Sequence, residues 1–327
     1  MSSENNPSFL PHKRYPYYIV APAYERKSAG IRTLHFLCHW LNRSGYPAYI
    51  QPLGKMRGPV THPDLITPLL TPDIVAAHYD AERTPIVVYP EIVGGNPLKA
   101  DCVVRYVLNY PGFLGGDKSY AADEIVFAFS QCLADAIENV SGILLFPVVD
   151  TNVFNLGAPR TRHGTCFYAS KYQSSGHALF DLPPGAVEIL RDSPKAQSPE
   201  QIAELFRTSE LFYCYEDTAL ILEANLCGCP CVIMPSDFFS EPLGVTEFGY
   251  DGIARNNSTQ EIDRAIATVE RVARTYADRS QEFFSQFATF IDITQDRAAK
   301  NAPVKRVVLP PRSWLGRRVS RLLKGRI

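Results

Sequence analysis

Short apolar segments alternate with helical patterns along most of this chain. Tyr17–Ala23 is apolar, aromatic and β-branched, as a buried strand is, and Ile31–Arg43 has apolar residues at helical spacing. Gly45 then ends the helix, and Ala48–Pro52 resumes the strand pattern. A strand, a helix and a second strand in this order form the unit from which parallel sheets are built. The chain is therefore predicted to fold into parallel sheets covered by helices.

The alternation continues through both halves of the chain. Further strands are predicted at Pro85–Pro90, Glu124–Ser130, Ile143–Val148, Thr165–Ala169, Val187–Leu190, Leu211–Tyr215 and Pro230–Met234. Further helices are predicted at Cys102–Leu108, Ser198–Arg207, Leu220–Cys227 and Glu261–Arg279. The helix that follows Ser198 has a capping box, because Gln201 stands three residues after that serine.

A polar segment rich in Asn, Gly, Pro and Arg, Asp150–Gly164, separates the two runs and is the predicted linker. The chain of 327 residues is long enough for two α/β domains. We therefore predict an α/β protein in which two doubly wound, Rossmann-like domains face a cleft. The predicted boundaries are residues 1–150 and 151–275, followed by C-terminal helices and a tail in residues 276–327.

Composition excludes several classes of protein. The net charge is −1, so no overall positive charge predicts a nucleic-acid partner. No apolar run of about 20 residues predicts a membrane span, and the polar segment Met1–Arg14 lacks the apolar core of a signal peptide. These features predict a cytoplasmic protein, in which the eight cysteines are reduced and mostly serve as small core residues.

Two groups of residues raise the question of a metal site. Alternate spacing places Cys227, Cys229 and Cys231 on one face of an extended segment, too close together for tetrahedral zinc. No second pair of ligands lies nearby in the sequence, so burial is favoured. His35 and His39 have the spacing of metal ligands on a helix, but without a third ligand a packed helix face is favoured. The sequence predicts no metal site.

The C-terminal tail has a charge pattern of its own. From Arg312 to Ile327 it contains six Lys or Arg residues and no acid. One helical face of the tail is apolar, with Trp314, Leu315, Val319, Leu322 and Leu323. A basic amphipathic helix with a tryptophan predicts contact with an anionic membrane surface, here the inner face of the cell membrane. A solubilising tail and a helix packed on the protein are the alternatives.

The segment Tyr215–Pro230 carries the strongest chemical signal. A strand ends at Tyr215, a short polar turn follows, and a helix begins near Leu220. The N-terminus of a helix presents free N–H groups and a partial positive charge, which suit a diphosphate. Glu223 lies in the first turns of this helix, where its carboxylate can accept hydrogen bonds from the two hydroxyls of a ribose.

This segment resembles the signature of the retaining GT-B glycosyltransferases of bacterial polysaccharide and lipopolysaccharide biosynthesis. In that signature a Glu is followed by Ala, a short helix and Gly-x-Pro, and Glu223, Ala224, Gly228 and Pro230 match it. The resemblance implies that Glu223 binds the ribose of a nucleoside-diphosphate sugar. It also implies that the diphosphate contacts the backbone of Thr218, Ala219 and Leu220. The resemblance covers roughly residues 17–275 and is specific only between Tyr213 and Met234.

One position departs from the family pattern. The residue eight positions before Glu223 is Tyr215, where the family usually has a second Glu. Glu216 and Asp217 adjoin this position, so the sequence predicts that one of these acids reaches the donor sugar from a shifted turn. The departure affects the donor sugar and the retention of configuration, while the nucleotide pocket is still expected.

Further site residues follow from the resemblance. Ser170 and Lys171 end the first strand of the second half, where such enzymes place a basic residue against the diphosphate; Lys171 would neutralise the leaving group as a metal does elsewhere. In the first half, Ser28 and Gly30 resemble the family's glycine-containing loop under the sugar and acceptor, with Arg32 nearby. The predicted cleft residues also include Glu91, Asn96 and Arg105.

The resemblance implies transfer of a glycosyl group from a nucleotide-sugar donor to a hydroxyl of a glycan or lipid-linked glycan. It also implies retention of configuration and a reaction that needs neither a metal ion nor another cofactor. Three alternatives stay open at the level of residues: Glu223 as a solvated helix residue, Lys171 as a surface lysine and Gly30 as an ordinary turn glycine. The rival for the whole chain is an inactive GT-B-like subunit that scaffolds a glycan assembly complex, which Tyr215 favours. The hypothesis of a sugar-nucleotide epimerase is disfavoured because no catalytic histidine stands at a recognisable position. A dehydrogenase is disfavoured because no G-x-G-x-x-G follows a strand.

Overall fold

A computed structural model describes residues 13–54, 59–191, 194–301 and 306–309. The basic tail 312–327, with its predicted membrane contact, lies outside the described residues. Among the helices that are described, none is both long enough and apolar enough to cross a membrane.

The first half of the chain builds a parallel sheet of six strands in the order β2-β1-β3-β4-β5-β6. Its strands are β1 Tyr17–Ala21, β2 Ala48–Pro52, β3 Ile86–Pro90, β4 Cys102–Val107, β5 Ile125–Ala128 and β6 Gly142–Ile143. Its helices are α1 Ala29–Arg43, α2 Pro72–Asp80 and α3 Gln131–Asp135. Strands β1, β3 and β4 are almost completely buried because helices or loops cover both faces of the sheet.

The second half builds a parallel sheet of five strands in the order β11-β10-β9-β7-β8. Its strands are β7 Thr165–Tyr168, β8 Val187–Glu188, β9 Leu211–Cys214, β10 Cys231–Ile233 and β11 Ile253–Ala254. Its helices are α4 Ser170–Ser174, α5 Pro199–Thr208, α6 Leu220–Leu226, α7 Val245–Phe248 and α8 Thr259–Thr268, and a short 3-10 turn at Val269–Arg271 leads into α9 Val272–Lys300. Cys227, Cys229 and Cys231 are buried free thiols, as predicted from their spacing.

Three element predictions were wrong. The segment Cys102–Leu108, predicted as a helix, forms β4 in the middle of the first sheet. Ile143–Val148, predicted as a strand, pairs only at Gly142–Ile143. The single helix predicted at Glu261–Arg279 is divided, because α8 ends at Thr268 and α9 then continues to Lys300.

Helix α9 connects the two halves. Tyr276 near its start packs in the core of the second half, whereas Phe283 and Phe290 further along pack in the core of the first half. The Tyr276 hydroxyl accepts a hydrogen bond from the Val149 N–H at 3.0 Å, at the point where the chain leaves the first half. The Gln286 side chain accepts one from the Leu145 N–H at 2.8 Å. The two sheets are therefore joined at one end by the linker and by α9.

Candidate functional site

Residues that follow the carboxyl ends of the strands in both sheets meet between the two halves. Helix α1, which follows β1, places Arg32 against Glu223 of α6, which follows β9. Nearby, the Arg191 guanidinium donates to the Lys27 carbonyl across the same interface at 2.7 Å. In open α/β sheets ligands bind at the carboxyl ends of the strands, so this is the candidate site.

Glu216, which follows β9, binds the first turn of α4 with its side chain. Its Oε2 accepts hydrogen bonds from the backbone N–H groups of Lys171 at 2.5 Å and Tyr172 at 3.1 Å. Its side chain is 1% exposed, and Oε1 is buried without a hydrogen-bond partner, 3.7 Å from Lys171 Nζ. Burial raises the pKa of Glu216, while the Lys171 charge and the two N–H groups oppose that rise. Glu216 therefore positions the Ser170–Lys171 turn, and in this conformation it does not face an open sugar site.

Lys171 is the accessible cation of the site. Its side chain is 68% exposed, and besides Glu216 its Nζ contacts the Asp217 carbonyl at 3.5 Å. The flexible ammonium thus lies over the turn between β9 and α6 while its backbone is held by Glu216. Because only the backbone of Lys171 is fixed, its ammonium can move toward negative charge that develops on a bound phosphate.

The turn itself is shaped by two side chains. Asp217 Oδ1 accepts a hydrogen bond from the Leu243 N–H at 3.1 Å, and burial raises the pKa of Asp217. Thr218 Oγ1 accepts one from the Leu220 N–H at 3.3 Å. The N-cap residue of α6 is Ala219, whose own side chain makes no capping hydrogen bond. The predicted diphosphate contacts at Thr218, Ala219 and Leu220 therefore lie on an ordered turn beside Lys171.

Tyr215 has a structural role in this conformation. It is fully buried, its hydroxyl donates to the Phe180 carbonyl, and its ring packs edge-on against Phe180. Burial raises the pKa of the phenol to about 12, so it stays neutral. A packed aromatic ring therefore stands eight positions before Glu223.

Glu223 lies in an ion pair between the two halves. Its Oε1 is 3.4 Å from Arg32 Nη2, and the two side chains are only 4% and 6% exposed. The pair is not fully hydrogen bonded, because Arg32 Nε is buried without a partner. The solvated Glu223 of the alternative interpretation is therefore excluded, and a ribose could reach this carboxylate only if Arg32 moves away.

The loop before α1 is an ordinary helix start. Ser28 is the N-cap, and its Oγ accepts a hydrogen bond from the Ile31 N–H at 3.4 Å. A Cβ atom added to Gly30 would lie 3.6 Å from Leu108 Cδ1, which is normal van der Waals contact. Gly30 therefore does not need to be glycine for packing, although it lies at the candidate site.

Glu91 directly follows β3 and is 4% exposed. Its Oε2 accepts a hydrogen bond from the Leu108 N–H at 3.0 Å, which ties the ends of β3 and β4 together. Burial raises the pKa of this carboxyl from 4.5 to about 7. Glu91 is therefore the acid at this edge of the first sheet that changes charge near neutral pH.

The raised pKa of Glu91 predicts a pH dependence of stability. The folded protein binds this proton more tightly than the unfolded chain. The contribution of protonated Glu91 to the free energy of unfolding is therefore fully present below about pH 4.5 and is lost as the pH rises to about 7. Glu91→Gln keeps an oxygen for the Leu108 N–H but does not titrate. We expect the thermal midpoint of the natural chain to fall relative to that of the variant as the pH rises from 4.5 to about 7. Thermal unfolding of both proteins across this range measures the difference, and a constant difference would contradict the shift.

Two predicted cleft residues, Arg105 and Asn96, lie within the first half of the chain instead. Arg105 is 1% exposed and donates to the carbonyls of Val93 and Gly95, both at 2.7 Å, and to the Glu124 carboxylate. Asn96 holds the same loop, because its amide bonds the N–H and the carbonyl of Ala100 at 2.9 Å and 2.8 Å. Their hydrogen-bond partners all lie in the first half of the chain, so the structure does not bring these two side chains to the interface.

Sequence reasoning missed a second contact between the halves. The Cys132 thiol of the first half donates to the Leu243 carbonyl at 3.2 Å, and the Gln131 N–H donates to Glu247 Oε1 at 2.5 Å. These residues lie more than a hundred positions apart in the chain. No local pattern marks them, because thiol and backbone contacts of this kind have no periodic signal.

Solved structures of glycosyltransferases are similar to this chain in fold. A glycosyltransferase from Rickettsia africae ESF-5 superposes with a TM-score of 0.52 at 12% identity, covering 89% of this chain and 100% of that one. SnogD from Streptomyces nogalater gives a TM-score of 0.44 at 13% identity, covering 86% and 100% of the two chains. The rhamnosyltransferase SpnG complexed with thymidine diphosphate gives 0.41 at 14% identity, covering 85% and 99%.

No protein-family model matches the sequence, and no curated protein matches it significantly. The relationship is therefore one of fold. This chain has two parallel sheets covered by helices, and its superposition on the Rickettsia structure extends over the full length of that chain. The chain has the GT-B fold, as its sequence predicts.

Proposed function

We propose that this chain is a glycosyltransferase that moves a sugar from a nucleoside-diphosphate donor to a hydroxyl of a glycan or lipid-linked glycan. The observation that carries the proposal is the position of Lys171: an exposed ammonium held over the β9–α6 turn, within a GT-B fold. The leaving diphosphate would bind at this turn. Lys171 would stabilise the charge that develops on it, so the reaction would need no metal ion.

Glu223 has a place in this proposal if the interface opens. Its carboxylate would accept hydrogen bonds from the donor ribose in place of the 3.4 Å contact with Arg32. The present pair is long, and one nitrogen of its guanidinium is unsatisfied. In a buried ion pair with incomplete hydrogen bonds, the attraction between the charges exceeds the free-energy cost of removing them from water by little. A ligand with two hydroxyls can therefore compete with Arg32 for the carboxylate.

The acceptor would bind on the first domain. Ser28, Gly30 and Glu91 follow the carboxyl ends of β1 and β3 in that sheet, and Arg32 of the same helix as Gly30 contacts Glu223 of the second half. The same proposal includes transfer with retention of configuration and an acceptor from polysaccharide or lipopolysaccharide biosynthesis. It also includes a cytoplasmic location and contact of residues 312–327 with an anionic membrane.

A second candidate function is a binding or scaffolding subunit without catalysis. Tyr215 favours it, because a buried, neutral phenol occupies the position of the family's acid. Glu216 favours it too, because its carboxylate is used to hold α4. The two candidates differ in one measurable property, which is transfer of a donor sugar once a nucleotide has bound.

Nucleotide binding is the experiment that tests the proposal. We expect one of UDP, GDP, CMP, ADP or dTDP to raise the thermal midpoint of the full chain, since a ligand at about 100 times its Kd stabilises the folded state by about 2.7 kcal/mol. Glu223→Gln should lose this shift, because a neutral amide accepts hydrogen bonds less strongly than a carboxylate.

Glu247→Gln is the matched control. Glu247 is a partly buried carboxylate that also contacts the other half, but it accepts from the Gln131 N–H and not from Arg32. This variant should keep the nucleotide shift. If none of the five nucleotides shifts the natural chain, the proposed function is wrong; if both variants lose the shift equally, Glu223 does not bind the nucleotide.

A further inference from the structure

Four contacting aromatic rings extend from the core of the second half to its surface. Tyr215 is fully buried after β9, and its ring centroid lies 5.4 Å from that of Tyr172 in α4. Tyr172 is 5% exposed and stacks on His177, with ring centroids 4.7 Å apart and planes at 20°. Phe238, in the loop after β10, packs edge-on against Tyr172 at 5.7 Å and lies 5.4 Å from His177. Two buried rings thus support two outer rings.

The two outer rings are open to water but held in place. Phe238 is 38% exposed, and His177 is also exposed. The His177 N–H donates to the Tyr172 carbonyl at 3.3 Å, and the Phe238 N–H donates to Ser236 Oγ at 3.3 Å. The next residue, Phe239, is anchored in the core. Because the rings are already positioned, a ligand that stacks on them orders few side chains when it binds.

The rings are attached to the candidate donor turn from two sides. Glu216 accepts from the Tyr172 N–H at 3.1 Å with one carboxylate oxygen, and its other oxygen lies 3.7 Å from Lys171 Nζ. The loop after β10 reaches the same turn, where the Leu243 N–H donates to Asp217 Oδ1 at 3.1 Å. The outer rings therefore lie beside the turn at which the diphosphate is proposed to bind.

The rings and Glu223 lie on opposite faces of the second sheet. Consecutive residues of an extended segment face opposite sides, so Cys214 packs with helix α6, which carries Glu223, whereas Tyr215 packs with Tyr172. In a nucleoside-diphosphate sugar, the ribose and the sugar are attached to opposite ends of the diphosphate. With the ribose at Glu223, the sugar extends across the turn toward the rings.

We infer that Phe238 and His177 stack against the sugar ring of the donor and select a pyranose with an unsubstituted C–H face. The inference rests on the proposed function and specifies how its donor sugar is held. Stacking removes the C–H face of the sugar from water, which is favourable in proportion to the apolar area buried. Tyr215, which stands where the family has a second Glu, supports this surface through Tyr172 instead of presenting a carboxylate to the sugar.

Other occupants fit these rings less well. The nucleobase is attached to the ribose, so with the ribose at Glu223 the base is directed away from Phe238. Asp237, next to Phe238, is exposed, and its carboxylate can accept hydrogen bonds from sugar hydroxyls. The same charge would repel the headgroups of an anionic membrane.

The test compares free nucleotides with their sugar conjugates on the full chain. Isothermal titration measures the Kd of UDP and UDP-glucose, GDP and GDP-mannose, ADP and ADP-glucose, and dTDP and dTDP-glucose. For the nucleotide that binds, we expect Phe238→Ala to weaken the sugar conjugate about 10-fold, as the loss of one apolar contact surface predicts, and to leave the free nucleotide unchanged. Phe238→Tyr keeps the ring and should bind both ligands normally.

Phe284→Ala is the matched control. Phe284 is a phenylalanine of α9 that is 52% exposed and packs on Trp40 of the first half. This variant should bind both ligands normally, and the thermal midpoints of all variants report whether they are folded.

Three results would overturn the inference. They are an unchanged Kd of the sugar conjugate in Phe238→Ala, an equal loss in Phe284→Ala, and an equal loss for the free nucleotide in Phe238→Ala, which would make the rings a site for the base. The proposed function fails differently, because then none of the free nucleotides binds the natural chain.

Discussion

Lys171→Ala is expected to lower the rate of sugar transfer by about 100- to 1000-fold, the effect of removing one group that stabilises charge in a transition state. The side chain is 68% exposed and makes only long contacts, so its removal should change the free energy of unfolding little. The loss should fall more on kcat than on nucleotide affinity, because the charge on the diphosphate grows as the sugar leaves. Single-turnover transfer from the donor whose nucleotide binds the protein measures the rate, and nucleotide titration measures the affinity.

Two further variants separate the charge of Lys171 from its position. Lys171→Arg keeps the charge and should retain more activity than Lys171→Ala. Glu216→Gln keeps an oxygen that can accept from the Lys171 and Tyr172 N–H groups but removes the negative charge 3.7 Å from Nζ. It should reduce kcat by a smaller factor and leave nucleotide affinity unchanged. Full transfer activity in Lys171→Ala would contradict the assigned role, and absence of transfer in the natural chain despite nucleotide binding would favour the scaffold.

Local patterns predicted much of the architecture. The capping box at the start of α5 is present in full, with Ser198 Oγ accepting from the Gln201 N–H at 3.2 Å and Gln201 accepting from the Ser198 N–H at 2.8 Å. Both bonds join residues three positions apart, so the sequence contains everything that the structure needs there. The strands before Ala23 and around Val88 were recognised for the same reason, since a buried parallel strand is a continuous apolar run.

The error at Cys102–Leu108 has a physical cause. A strand buried on both faces has no alternation of polar and apolar residues, and its one charged residue, Arg105, reads as the exposed face of a helix. What makes the charge tolerable is Glu124, nineteen positions away, with the carbonyls of a loop. Such partners become visible only once the chain has folded.

The same limit applies to the candidate site. Glu223 was recognised from a local motif, but its partner Arg32 is 191 positions away, in the other half of the chain. Glu216 was predicted near the donor sugar, whereas its partners lie 44 and 45 positions earlier, at the start of α4. The motif predicts which segment carries the site, and the contacts between segments decide what each carboxylate does.

Arg105→Met is expected to destabilise the folded protein by about 3–5 kcal/mol, the effect of breaking a buried ion pair by removing one partner. The guanidinium is 1% exposed and makes two bonds of 2.8 Å to the Glu124 carboxylate, in addition to those with Val93 and Gly95. Methionine fills part of the volume but leaves a carboxylate that is 12% exposed and two carbonyls without this donor. Lysine cannot replace the planar fork, so Arg105→Lys should also be strongly destabilised.

The exposed pair between Arg255 and Glu261 provides the comparison that isolates burial. Arg255 also makes two hydrogen bonds to one carboxylate, each of 3.1 Å, but its side chain is 59% exposed. Arg255→Met should therefore cost no more than about 1 kcal/mol, because water solvates the charges when the pair is broken. Urea unfolding at neutral pH measures both variants against the natural chain. If Arg105→Met lost no more stability than Arg255→Met, the hydrogen bonds of Arg105 to Val93 and Gly95 would not be what stabilises the loop after Glu91.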